Sequence, residues 1–216
     1  GLLGRLTLIG AIEREPIAFV SPVAAPLDSV QDIIRRAAED ADAVPIGTPA
    51  AGSPPHLAAL RLQLLTRTRL NIVTFPSAAA ARQAVIAGNV AAAALGLSDA
   101  IGALRDDKLA GIGIAARTRA GMLPDLPVLN EAGVPLSATI RRGLAVPARV
   151  PEPTVQRLSQ ALRAIAADPA FRAQADETGF LATWIDGPAW TAQIRAERQE
   201  LAKLWATEPW LHAGGG

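Results

Sequence analysis

One stretch has the residue types and spacing for chemistry: Gly47–Leu57, reading Gly-Thr-Pro-Ala-Ala-Gly-Ser-Pro-Pro-His-Leu. It follows a short apolar segment (Ala43, Val44, Ile46) and precedes a helical run (Leu57, Leu60, Leu64). The pattern predicts a strand-loop-helix junction, where backbone N–H groups face outward at the positive end of a helix and receive a carboxylate or phosphate. Pro54 and Pro55 suit the first helical positions but carry no N–H. Donors therefore have to come from Thr48, Ala50, Ala51, Gly52, Ser53, His56 and Leu57. Ser53 is the natural N-cap, and its hydroxyl competes for the His56 N–H. On spacing alone, the reading to prefer is a capped helix that binds nothing, since most capped helices carry no ligand.

Other candidates reduce to ordinary surface or to open alternatives. His56 is the one histidine in the globular region, His212 lying in the tail. A metal site takes three or four ligands, so no metal is expected. Ser53 lies three residues from His56, but no acid is placed to complete a nucleophile-base-acid set, so no catalytic residue is assigned. The role expected of His56 is to close the loop or help hold a carboxylate. Asp106–Asp107, the group Glu39, Asp40 and Asp42, and the pair Arg35–Arg36 read as solvated helix ends and faces. Arg141–Arg142 interrupts an apolar strand, and neighbours on a strand face opposite sides. One of them is placed either to clamp a carboxylate bidentately or to guard a sheet edge.

The elements that must position these groups follow in order. Leu6–Ile12 alternates as a strand continued by Ile17–Ser21. Asp28 or Ser29 caps a helix to about Glu39; Ala43–Ile46 is a strand; Pro55 to about Leu65 is a helix; Asn71–Phe75 is a strand. Ser77 caps an alanine-rich helix ending at Gly88, and Val90–Leu95 is a buried strand. Asp99–Arg105 reads as a helix and Ala110–Ala115 as a strand. Thr139–Val146 is a further strand, followed by helices over Pro153–Ala167, Phe171–Glu177 and Ala189–Trp205, with a short strand at Thr183–Ile185. Strands alternating with helices predict an α/β fold with a mainly parallel sheet flanked by helices. Ligands of such sheets sit beyond the carboxyl ends of strands, which groups the loop Gly47–Ser53 with Thr74, Phe75 and Ser77 at one edge.

Composition narrows the class. The chain has 216 residues, half of them hydrophobic, a net charge of +1 and no cysteine. That excludes disulfides and thiolate chemistry, and gives no electrostatic case for nucleic acid. No apolar run reaches the ~20 residues of a membrane span. The first ten residues lack a charged n-region and a small-residue cleavage pattern, so they do not read as a signal peptide. Ala213–Gly216 is expected to be a disordered tail.

The same residues resemble the solute receptors of tripartite tricarboxylate transporters, the Bug family of periplasmic binding proteins. Gly47, Thr48, Gly52, Ser53, His56 and Leu57 match a Gly-Ser-x-Gly-x-Gly-Ser-x-x-His-Leu loop, with Ala50 in place of a glycine. Pro26–Leu27–Asp28–Ser29, Gly88–Asn89–Val90, Lys108–Leu109, Gly143–Leu144 and Pro147 follow in order. Leu123–Gly133, reading Leu-Pro-Asp-Leu-Pro-Val-Leu-Asn-Glu-Ala-Gly, matches a Leu-Pro-Asp-x-Pro-Thr-x-x-Glu-x-Gly signature. The match runs from about residue 8 to about 207.

The resemblance implies a type II periplasmic binding fold with residues 20–138 as the second lobe and residues 1–19 and 139–216 as an incomplete first lobe. It implies a non-catalytic, periplasmic receptor without cofactor that captures a small carboxylate between lobes and presents it to membrane transporter subunits. The expected ligand set is Gly47, Thr48, Ala51, Gly52, Ser53, His56, Thr74, Phe75 and Ser77, from the two loops, with Arg141 added for its guanidinium where family members usually carry an aromatic. Roughly a third of the mature family protein normally precedes Gly1, so the chain resembles a fragment, a processed form or a shortened member. The incomplete lobe, with Trp184, Trp190, Trp205 and Trp210, is expected either to form a homodimer or to pack those indoles on its own helices. Departures from the pattern remove polar groups. A Pro-Tyr-Lys-Gly-Ser turn becomes Thr74–Ala78 with Pro76, an aspartate becomes Ala91, and Phe-Asp-Asn becomes Ala94–Gly96. These keep two alternatives open, a binding-incompetent remnant and an effector-binding module of a regulator.

Overall fold

In the computed structural model, which describes residues 2–210, β1 is one continuous strand, Leu6–Pro22, as the continuation from Leu6–Ile12 into Ile17–Ser21 led one to expect. The chain separates into two compact units that divide within β1, between Arg14 and Glu15, within β6 (Thr139–Pro147), between Ile140 and Arg141, and again between Pro209 and Trp210. The tail Ala213–Gly216 and His212 lie outside the described residues.

The second unit holds α1 (Val30–Glu39), β2 (Ile46–Thr48), α2 (Pro54–Thr66), β3 (Ile72–Thr74), α3 (Ala78–Ile86), β4 (Ala92–Gly96), α4 (Leu97–Arg105) and β5 (Leu109–Ala115). Its sheet runs β3-β2-β4-β1-β5. Strands β3, β2 and β4 are mutually parallel, with Thr48 opposite Thr74 and Ile46 opposite both Ile72 and Ala92. Strand β1 runs antiparallel to β4 and β5. The sheet is thus mixed. The expected parallel order holds for the strands joined by crossover helices, whereas no helical crossover of the parallel kind ties β1 to its neighbours.

Both faces of this sheet are buried, as successive side chains show. Ile17 and Phe19 join a core with Ile33, Ala58 and Leu62, from α1 and α2. Ala18 and Val20 join another with Ala81, Val85, Leu97 and Ala100, from α3 and α4. Alternation along β4 is the same, with Ala92 and Ala94 on one side and Ala93 and Leu95 on the other. The period of two puts neighbours on opposite faces, and helices on each face make most of these positions apolar.

The first unit is built on Leu6–Arg14 of β1, paired with β6 and antiparallel to β7 (Leu181–Asp186), with α5 (Glu152–Ala167), α6 (Pro169–Glu177) and α7 (Gly187–Thr207). Asp168 and Asp186 cap α6 and α7, each with proline in the first turn. Glycines admit two indoles here. A Cβ on Gly10 would lie 2.6 Å from Trp184, and one on Gly143 would lie 2.8 Å from Trp190. These two tryptophans therefore pack within their own unit. Trp205 remains 38% exposed.

Candidate functional site

The loop Pro49–Ser53 is fixed by the strand before it and the helix after it. Thr48 ends β2, is fully buried, and donates its hydroxyl to the Pro49 carbonyl at 3.0 Å. Gly47 lies beneath the neighbouring loop, since a Cβ there would be 3.2 Å from both Phe75 and Val90. Ser53 is the N-cap of α2, accepting from the His56 N–H at 3.4 Å, and Pro54 and Pro55 occupy the first turn. Gly52 turns with φ +80°, a conformation that costs any residue with a Cβ.

His56 closes the loop. Its Nδ1 accepts from the Gly52 N–H at 3.3 Å, and its side chain is almost wholly buried. Burial lowers its pKa below the usual 6.5, which favours the neutral ring that this acceptor role requires. The loop uses several of its own donors. Ser53 N–H bonds the Ala50 carbonyl, Leu57 N–H bonds the Ser53 carbonyl, and the Gly52 and His56 amides are engaged as above. Among the described residues the Ala50 and Ala51 amides have no such partner.

The neighbouring junction is built alike. Thr74 ends β3, the Phe75 N–H bonds the Thr48 carbonyl at 2.8 Å, and Ser77 caps α3 by accepting from the Ala80 N–H at 3.1 Å. Because β2 and β3 are paired in parallel, helices α2 and α3 both begin beyond the carboxyl ends of neighbouring strands, α2 on one face of the sheet and α3 on the other. Each capping serine accepts from its helix and keeps its own O–H proton to donate outward. Gly47, Thr48, Ala51, Gly52, Ser53, His56, Thr74, Phe75 and Ser77 are therefore brought to one sheet edge. Arg141 belongs to the first unit. It forms an ion pair with Glu197 there, with its Nε buried and unpartnered among the described residues. Arg142, on the opposite side of β6, stacks 4.5 Å from the Phe180 ring centroid.

Two residues carry weight that the sequence did not reveal. Glu15 is fully buried and accepts from both the N–H and the Oγ–H of Ser98, at 2.9 and 2.7 Å, at the start of α4. In the sequence it stands beside Glu13 and Arg14 in β1, so nothing local marks it as the buried one. Trp210, grouped by sequence with the first lobe, instead belongs to the second unit and lies against Gly52.

The remaining features do not add a centre. An open depression of about 350 Å³, lined by Ala41, Asp42, Arg69, Leu70, Asn71 and Ile72, lies at the opposite ends of β2 and β3 from the loops. Among the described residues no group of three His, Cys, Asp or Glu could hold a metal ion, and no helix is long and apolar enough to cross a membrane. In the signature segment, Arg119 grips Glu131 bidentately at 2.9 and 2.6 Å, holding the Glu131 carboxyl below its usual pKa.

Comparison with known proteins agrees with this architecture. Residues 3–202 match the tripartite tricarboxylate transporter family receptor. A UPF0065 protein of Bordetella bronchiseptica is 24% identical over 192 residues, covering 89% of this chain and 57% of the relative. The chain thus spans little more than half the length of that curated relative. Among solved structures, Rpa4515 of R. palustris with adipate superposes with a TM-score of 0.84 at 21% identity, covering 94% of this chain and 68% of the other. The periplasmic binding protein BugD gives 0.80 at 20%, covering 94% and 69%. MatC of Rhodopseudomonas palustris with bound malate gives 0.78 at 22%, covering 92% and 69%. The fold, the ordered motifs and the match over most of the sequence lead to one assignment: the chain belongs to the family of tripartite tricarboxylate transporter receptors, which are solute-binding proteins.

Proposed function

We propose that this protein is a non-catalytic receptor for a small carboxylate, which it captures outside the cytoplasm for a tripartite tricarboxylate-type transporter. The observation that carries the reading is the pair of serine-capped helices that begin beyond the carboxyl ends of the neighbouring strands β2 and β3, with the Ala50 and Ala51 amides without a partner among the described residues. Two helix N-termini give a region of positive potential without a formal charge, and amide and hydroxyl donors suit carboxylate oxygens. The relatives solved with adipate and malate support that ligand class. Ligand contacts in this reading come from Gly47, Thr48, Ala51, Gly52 and Ser53, with Thr74, Phe75 and Ser77 beside them, and His56 holds the loop in shape. Arg141 already neutralises Glu197, so the loop amides take the ligand charge and Arg141 is left to be tested by substitution. Residues 20–138 act as one lobe in this reading, and residues 1–19 with 139–216 as part of the other. Self-association through Leu144, Ile165 and Trp205, the first unit's exposed large apolar residues, is a separate proposal that sedimentation reads.

The test is calorimetric titration of the chain with mono-, di- and tricarboxylates, alongside native mass spectrometry. Saturable binding that Ser53→Pro abolishes, with Arg141→Ala as the companion variant, supports the receptor. Absence of binding for the whole panel supports a remnant instead. The loss of an N–H at Pro76 and of polar residues at Ala94–Gly96 favours that second reading.

A further inference from the structure

We propose that His56 is a proton-sensitive latch: protonation of its ring opens the loop Pro49–Ser53, so that carboxylate capture weakens as the medium turns acidic; this rests on the receptor reading above. The latch is one hydrogen bond. The Gly52 N–H donates to Nδ1 of His56 at 3.3 Å, so the neutral ring carries its proton on Nε2. An imidazolium has a hydrogen on both nitrogens. Its Nδ1–H would face the Gly52 N–H, donor against donor, and the bond is lost. Gly52 is the residue held at φ +80°, next in the chain to Ala51. The turn that presents the Ala50 and Ala51 amides is thus closed through this ring.

Among the described residues no charged group offsets a proton on that ring. His56 is almost wholly buried, and burial is the cause of its lowered pKa. Helix α2 packs on β2, β3 and β4, whose residues are all uncharged. Helix α1 shares its core face, but Asp32, Arg35, Arg36 and Glu39 lie outside that core, and Asp32 and Arg35 pair with each other. Residues 43–55 hold no ionisable side chain, and Arg61 is the one other on α2. The group that meets Gly52 from the far end of the chain is the uncharged indole of Trp210. The ring also stands in the first turn of α2, where the helix end is positive and a cation is disfavoured. A buried imidazolium without a counter-charge is costly, and opening the loop gives it to water. The closed loop is favoured above the ring's ordinary value near 6.5 and gives way as pH falls below it. A ligand that needs the closed loop makes protonation harder still, by reciprocity.

The test is NMR on the full chain with labelled histidine rings and labelled glycine amides. The chain has two histidines, so His212→Gln assigns both ring signals, and Gly52→Ala identifies the Gly52 amide. Without ligand, the His56 ring should titrate below its ordinary value, and the Gly52 amide should move with it. His56→Gln, whose side-chain oxygen is an acceptor at every pH, should leave that amide unresponsive between about pH 5 and 8. Calorimetry with malate then compares wild type and His56→Gln at each pH, which cancels the ligand's own ionisation. Wild-type affinity relative to the variant should fall by up to about tenfold for each pH unit below the ring's pKa. A flat ratio overturns the switch. A ratio that rises toward acid also overturns it, since the charged ring would then be a ligand contact. A Gly52 amide that ignores the ring's titration removes the latch itself. If malate and adipate fail to bind at any pH, the receptor reading fails and the switch in binding falls with it. The ligand-free Gly52 response still decides whether the loop opens.

Discussion

Helices α2 and α4 begin at the ends of adjacent parallel strands, β2 and β4, yet their N-termini are satisfied in opposite ways. At α4 the fold supplies its own anion: the buried Glu15 carboxylate takes the N–H and hydroxyl of Ser98. Its fit is so close that a Cβ on Gly96 would collide with Glu15 Oε1. At α2 the cap is a neutral serine, two prolines remove N–H groups, and the Ala50 and Ala51 amides of the loop ahead have no partner among the described residues. The same helix-end electrostatics therefore does two jobs. With a carboxylate built into the chain it locks a strand to a helix; without one it leaves a place for a carboxylate from solution.

The largest effect should come from breaking the locked end. Glu15→Ala leaves two donors of Ser98 without their charged acceptor inside the protein, and urea denaturation should show a loss of about 2–3 kcal/mol. Glu15→Gln, which keeps the shape, should lose less. If both variants matched the wild type, the carboxylate would not be holding α4 in place.

Gly52→Ala should come next, at about 1–2 kcal/mol, because φ +80° is strained for alanine. Its effect on carboxylate affinity should exceed that on stability, measured by calorimetry on protein shown to be folded. The caps follow. Ser53→Ala and Ser77→Ala should each cost about 1 kcal/mol in thermal or urea unfolding, and each removes one outward hydroxyl from the open end. Equal losses of stability with loss of ligand binding only at Ser53 would restrict the site to the first loop.

The smallest effect is a pH slope. Burial lowers the pKa of His56 in the folded state, so the unfolded chain takes up the proton more readily. Its contribution to stability is complete above the unfolded value near 6.5 and declines as pH falls below it toward the folded pKa. His56→Gln should flatten the corresponding part of the stability-pH curve. A slope unchanged by that substitution would assign it to other groups.

Legibility in the sequence followed the range of the forces involved. Ser53, Pro54 and Pro55 announce the start of α2, and Ser77 that of α3, because caps and proline positions act within one turn of helix. Gly88 as the residue after α3 has the left-handed φ of +74° that its position suggested. Errors appeared where a distant partner intervenes. Helix α4 begins at Leu97 rather than Asp99, since its first turn is completed by Glu15, 83 positions from Ser98. The 3₁₀ turn Leu129–Ala132 escaped notice because it is only one turn long and ends in Gly133. Arg141 and Arg142 were correctly placed on opposite sides of a strand, but only packing reveals that their partners are Glu197 and Phe180.

By itself the sequence determined the elements, the layered α/β class, the family and the identity of the loop that starts α2, all through local periodicity, caps and ordered motifs. Tertiary structure decided that β1 runs antiparallel to its neighbours, that Glu15 fills one helix end, and that Trp210 rests on Gly52. Those contacts join residues far apart in the chain. Their energies depend on burial and close approach, which exist only once the chain has folded.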